Sequence, residues 1–147
     1  MIRKYSHQDK PEVIELLRLN TPEYFDPSEE KDLVDYLDNE LEDYFIVEEN
    51  SKIVGAGGIN YFLSEKTARI SWDMIKPNSQ GKGIGMQLIK HRIDRIKQNN
   101  SIENIIVRTS QHAYRFYEKT GFKLEKIEKD YWAKNFDLYI MSMKNMR

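Results

Sequence analysis

Met74-Ile75-Lys76-Pro77-Asn78-Ser79-Gln80-Gly81-Lys82-Gly83-Ile84-Gly85 is the stretch on which the reading of this chain turns. It follows an alternating apolar run, Thr67–Ile75, and opens an apolar-striped segment from Ile84 to about Gln98, so it joins a strand to a helix. Glycines let the backbone approach a ligand closely and aim several N–H groups at one point. A helix N-terminus adds the positive end of its dipole. Such a combination binds phosphate or pyrophosphate, and Lys82 can add a point charge. Two common phosphate motifs fail on spacing. G-x-x-x-x-G-K-[ST] needs a glycine where Lys76 stands, and G-x-G-x-x-G does not match Gly81-x-Gly83-x-Gly85. The pattern [Gln/Arg]-x-x-Gly-x-[Gly/Ala] does fit, as Gln80-x-x-Gly83-x-Gly85. The competing reading is a tight turn with no ligand, which the strand before and the helix after disfavour.

Upstream of this stretch, Ile2–Tyr5 reads as a strand, and Ser6-His7-Gln8-Asp9 fits a capping box before a helix carrying Val13, Ile14, Leu16 and Leu17. Pro22 and Pro27 break the chain, and Ser28 can cap a second helix striped by Leu33, Leu37 and Leu41. Tyr44–Glu48, Ile53–Phe62 and Thr67–Ile75 form an antiparallel meander. Downstream, the loop's helix has an inner stripe of Gly85, Leu88, Ile89, Ile93 and Ile96. A strand Asn104–Thr109, a short helix from about Gln111 to Lys119 ended by Gly121, and strands Phe122–Lys129 and Phe136–Met143 complete the chain. The pattern predicts one domain over 1–147, of α/β class, with a mixed sheet and helices on both faces.

Composition narrows the chemistry. The 147 residues include no cysteine, which removes disulfides, thiolate metal sites and a cysteine nucleophile. Three scattered histidines, His7, His91 and His112, do not make a metal site. A formal net charge of −1 lacks the basic excess of a nucleic-acid binder, so no nucleic-acid partner is expected. No stretch approaches the roughly 20 apolar residues of a membrane span, and no export signal precedes Ser6. The expectation is a cytoplasmic protein without a membrane partner; a homodimer is among the compatible assemblies.

The chain resembles the GNAT superfamily of acyl-CoA-dependent N-acetyltransferases. Met74–Gly85 looks like the family's acyl-CoA signature, and Ala113-Tyr114-Arg115-Phe116-Tyr117-Glu118-Lys119-Thr120-Gly121-Phe122 looks like its second signature, A-x-x-F-Y-x-x-x-G-F. The element order resembles the family over essentially the whole chain. The resemblance implies a central, mostly antiparallel sheet with one splayed parallel strand pair, and acetyl-CoA as co-substrate. It places the pantetheine arm against the backbone of Asp73, Met74 and Ile75, with a backbone N–H near Asp73 or Met74 on the thioester carbonyl. The pyrophosphate falls on the amides of Gly81, Lys82, Gly83, Ile84 and Gly85, with Gln80 of the same signature also a cofactor contact. The family usually has Asn seven residues before the signature tyrosine; Ser110 stands there and is the matching cofactor contact, with a shorter reach.

By the same resemblance the reaction is direct attack of an amine on the thioester, with Tyr117 giving a proton to the departing CoA thiolate. Some members carry a Glu early on the strand before the loop; Arg69 stands there and cannot act as a base. Asp73, four residues on and expected on the same strand face as Arg69, is the carboxylate that can hold or deprotonate the amine, with His112 the weaker alternative. Tyr131 and Trp132 serve as an acceptor wall or as hairpin packing. The acidic region from Glu23 to Asp43 either attracts a cationic acceptor or is a solvated helix face. The expected function is transfer of an acetyl group from acetyl-CoA to a primary amine; the alternative is a non-catalytic CoA-binding module on the same fold.

Overall fold

The computed structural model describes residues 1–146, so the expected span of 1–147 exceeds the described residues by Arg147. Seven strands and four α-helices follow in the order β1 (Ile2–Lys4), α1 (Lys10–Leu19), α2 (Glu29–Asn39), β2 (Asp43–Glu49), β3 (Lys52–Phe62), β4 (Thr67–Ile75), α3 (Ile84–Lys97), β5 (Asn104–Thr109), α4 (Tyr114–Lys119), β6 (Lys123–Ala133) and β7 (Phe136–Lys144). They form a mixed α/β domain around one sheet of order β1-β2-β3-β4-β5-β7-β6. Only β4 and β5 run parallel; the other neighbours are antiparallel.

Period-2 alternation divides the core between the two sheet faces. In β2, Phe45 and Val47 pack with Leu88, Ile89, Ile96 and Val107 under α3, whereas Tyr44 and Ile46 pack with Leu16, Leu33 and Met74 under α1 and α2. The apolar stripes of the three long helices supply the covering layers.

Several boundaries differ from the sequence expectation. The short helix begins at Tyr114, because the Ser110 carbonyl accepts from both Ala113 and Tyr114 and holds a turn ahead of it. Ser28 does not cap α2 with its side chain; Glu29 accepts the Asp26 N–H at 2.9 Å, and Asp26 accepts the Ser28 N–H at 3.0 Å. Leu41 lies past the end of α2 but still packs on the same core. β6 runs on to Ala133, with a register irregularity after Glu128.

The feature that positions the site is a defect in the sheet. β4 pairs with β5 only from Thr67↔Asn104 to Ile70↔Val107. On its other edge the register with β3 slips between Gly58↔Ser71 and Ala56↔Met74, which inserts an extra residue into β4. Trp72 sits at this bulge with φ 51°, a conformation unusual for so bulky a residue. Its carbonyl accepts from the Tyr44 hydroxyl at 3.0 Å, and its ring stacks on Phe25 at 6.1 Å.

Candidate active site

Past Ile70 and Val107 the two parallel strands separate, and a cavity of about 930 Å³ opens between them. Gly81, Gly83 and Gly85 of the glycine loop line it, as do Phe25, Tyr36 and Trp72. β4 keeps β3 at Met74 and Ile75 but has lost β5 there, so the cleft borders an edge of β4 that an extended ligand can approach, with the Ile75 carbonyl held by Asn20 and Gln80.

The loop has a backbone that could cradle an anion. Gly81 and Gly83 have φ of 82° and 81°, values that suit glycine, and a Cβ at either would meet nothing within 4 Å. Gly83 is the N-cap of α3, so the N–H groups of Ile84, Gly85 and Met86 have no helical carbonyl to reach. Gly85 serves packing: a Cβ there would lie 3.2 Å from the Phe116 ring. The side chains of Ile84 and Met74 are buried in the two cores, so both residues can meet a ligand only through backbone. Gln80 spends its amide inside the protein, donating to Asn20 Oδ1 at 3.1 Å and to the Ile75 carbonyl at 3.2 Å. Asn20 donates to the same carbonyl at 3.0 Å, so the two side chains bind the end of β4 to α1 and the loop. Lys82 is exposed and does not line the cavity. Ser110 is buried at the cavity wall, where its hydroxyl accepts the His112 N–H at 3.2 Å.

On the cavity wall the Tyr117 hydroxyl donates to Asp73 Oδ2 at 2.6 Å. Asp73 Oδ1 is ion-paired with Nη1 of Arg92, which α3 projects from beneath the sheet. Arg92 is 0% exposed and is further held by donation to the Gly58 carbonyl at 3.0 Å and to its own helix at Leu88. Room for the pair comes from Gly57: a Cβ there would stand 2.3 Å from Asp73 Oδ1 and 2.8 Å from Arg92 Nη1. Burial pushes the Tyr117 phenol well above its ordinary pKa, and the adjacent Asp73 carboxylate pushes it the same way, so the hydroxyl keeps its proton.

The bulge overturns one expectation about β4. Arg69 and Asp73 do not share a face. Arg69 pairs opposite Asn60, whose side chain bonds Tyr36 and the Glu40 carbonyl on the α2 side, whereas Asp73 meets α3. His112 is exposed and its Nε2 lies 3.3 Å from the Asn135 carbonyl, which ties it to the β6–β7 hairpin. Tyr131 and Trp132 line the cavity, with Trp132 Nε1 donating to the Thr109 carbonyl at 3.1 Å.

A model of the acetyltransferase (GNAT) domain matches residues 7–145. The chain belongs to the GNAT acetyltransferase family. The GNAT fold is shared with the ribosomal-protein-S18-alanine N-acetyltransferase of Escherichia coli (19% identity, 100% of this chain and 94% of that one, TM-score 0.83). It is shared equally with Ard1 of Thermoplasma volcanium (19% identity, 100% and 98%, TM-score 0.83). An aminoglycoside 6′-N-acetyltransferase solved with coenzyme A also superposes (17% identity, 100% and 98%, TM-score 0.78). No curated protein sequence matches significantly.

Sequence reasoning about this GNAT domain missed Arg92, Gly57 and Asn20. Arg92 did leave a signal, because it lies four residues after Leu88 and four before Ile96, inside the apolar stripe of α3. A charge at such a position needs a buried partner.

Proposed function

We propose that this GNAT domain transfers the acetyl group of acetyl-CoA to a primary amine by direct attack, with Asp73 and Tyr117 as the proton-handling pair. The observation that carries the reading is the 2.6 Å hydrogen bond from Tyr117 to Asp73 beside the gap between β4 and β5. Pantetheine runs along the edge of β4 that β5 leaves open at Met74 and Ile75, and Ser110 faces it from the wall. The pyrophosphate rests on the amides of Gly81, Gly83, Ile84 and Gly85, helped by the dipole of α3. Gln80 shapes that loop, and Lys82 adds its charge from the outer surface.

A neutral amine attacks the thioester carbonyl and forms a C–N bond. The resulting N–H⁺ gives its proton to Asp73 Oδ2. The C–S bond breaks, and the thiolate takes the Tyr117 hydroxyl proton. Asp73 then returns a proton to the tyrosinate oxygen across their hydrogen bond, which resets both groups. The free thiol and the amide leave with no net change in protons on the enzyme. Arg92 offsets the negative charge shared by the pair during the cycle.

The test is thiol release from acetyl-CoA across a panel of primary amines, with acetylated product identified by mass. Enzyme-dependent thiol and amide in equal amounts support the proposal. Acetyl-CoA binding with no transfer to any amine would leave the non-catalytic CoA-binding module instead.

A further inference from the structure

Arg69 and Arg108 differ from four other arginines of the chain. Arg3, Arg18, Arg92 and Arg95 each pair with a carboxylate. Arg69 and Arg108 form no ion pair among the described residues, although both line the cavity. Arg69 stands opposite Ile106 in the parallel register, and Arg108 follows two residues later, so the two side chains share the α2 face of adjacent strands.

Their present contacts are aromatic. The Arg69 guanidinium lies 4.8 Å from the Phe62 ring centroid and makes no hydrogen bond among the described residues. The Arg108 guanidinium lies 5.3 Å from both Tyr131 and Trp132 and donates to the Tyr131 hydroxyl at 2.6 Å. Stacking fixes the plane of a guanidinium and leaves donor edges for a ligand. Burial, then repulsion from Arg108, lowers the Arg69 pKa, against weaker pulls from Tyr36, Glu40 and Tyr131. A pair of half-buried like charges is unfavourable until an anion joins it.

The geometry points to an anion anchor formed by Arg69 and Arg108, and hence to an acceptor that is an amine bearing a carboxylate. A guanidinium pair matches a carboxylate fork by parallel N–H···O bonds. Glu29, Asp32, Asp35 and Glu40 also line the cavity; they oppose a doubly charged phosphate and favour the cationic end of a zwitterion. The amine then points toward Asp73 and the carboxylate toward the two arginines. This inference rests on the acetyl-transfer reading for the amine's fate, but the anchor itself can be read by binding alone.

The experiment uses matched amines that differ only in the carboxylate: L-tyrosine and tyramine, L-lysine and cadaverine, β-alanine and ethylamine. The pairs also vary the distance from amine to carboxylate. Wild type is expected to prefer the carboxylate member of at least one pair by about tenfold or more in kcat/KM, the scale of a charge-assisted hydrogen bond. Arg69→Gln and Arg108→Gln should each shrink the preference, and the double variant should abolish it while acetyl-CoA still raises its Tm. Equal kcat/KM within every pair, or a preference that survives in the double variant, overturns the anchor. A second arm measures binding of N-acetyltyrosine against N-acetyltyramine, and of the other acetylated pairs, to the CoA-saturated protein by calorimetry. The same preference and the same loss are expected there. If no amine is acetylated, this arm still decides: carboxylate-selective binding lost in the double variant upholds the anchor and counts against acetyl transfer alone, and its absence overturns the anchor.

Discussion

Tyr117 and Asp73 are 44 residues apart in the chain, yet the phenol donates to the carboxylate at 2.6 Å across the gap where β4 and β5 part. The bulge at Trp72 is what makes this contact, because it turns Asp73 away from the α2 face and toward α3 and α4. The second carboxylate oxygen is then taken by the buried Arg92.

A buried ion pair is costly to break from one side, since the remaining charge loses its compensation. Arg92→Met is expected to destabilise the protein by about 3–5 kcal/mol, because it strands the Asp73 carboxylate. Gly57→Ala should do comparable harm with all charges kept, as its Cβ would come 2.3 Å from Asp73 Oδ1. Gly55→Ala is the control: its Cβ meets the flexible end of Ile75 at 2.9 Å, which can move aside. Urea unfolding of the three variants checks the ranking, and a Gly57→Ala protein as stable as Gly55→Ala would refute it.

The loop makes a separate prediction. Gly83→Val should abolish acetyl-CoA binding, read as loss of the Tm rise that a ligand gives by mass action. Nothing stands near the missing Cβ, so the folded protein should lose only about 1–2 kcal/mol from the left-handed backbone at φ 81°. Gly85→Val should behave differently, because it strikes the Phe116 ring 3.2 Å away and disturbs packing. Unchanged acetyl-CoA binding in Gly83→Val would move the pyrophosphate elsewhere.

Much of this architecture was legible in the sequence because it follows from local periodicity. The stripe from Leu88 to Ile96 and the alternation of β2 each mark an element and its buried face. The glycine loop was legible because its residues act through backbone. The bulge was not, since Thr67–Ile75 contains neither Gly nor Pro and the slip shows only in its pairing with β3. Hence simple alternation puts Asp73 on the strand face of Arg69, although the bulge turns it to the opposite one. The roles of Gly57 and Arg92 were equally hidden, because each depends on a partner distant in the chain.

Glu29 sets a pH dependence. Burial pushes its carboxyl up to about 7, from an ordinary value of 4.5. Between those values the folded chain holds a proton that the unfolded chain has released, so stability falls as pH rises through the window. The fall from this group is at most about 3 kcal/mol, reduced by solvent screening, and it levels off about one pH unit above 7. Glu29→Gln should remove that part of the slope and make the protein relatively more stable at pH 8 than at pH 5. Urea unfolding at the two pH values tests it; an unchanged slope in the variant would assign the dependence to other groups.

The most direct test of the account is the steady-state behaviour of Tyr117→Phe on an amine that wild type acetylates. The substitution keeps the ring against Phe116 and Phe122 and removes only the hydroxyl bonded to Asp73. Turnover should fall about 10²-fold, within the range for loss of a general acid, while the KM for acetyl-CoA changes little and stability falls by about 1.5–3 kcal/mol for the lost hydrogen bond to the carboxylate. Equal turnover in the two proteins from neutral to alkaline pH would contradict a proton-donating role for Tyr117 and leave it as a packed aromatic.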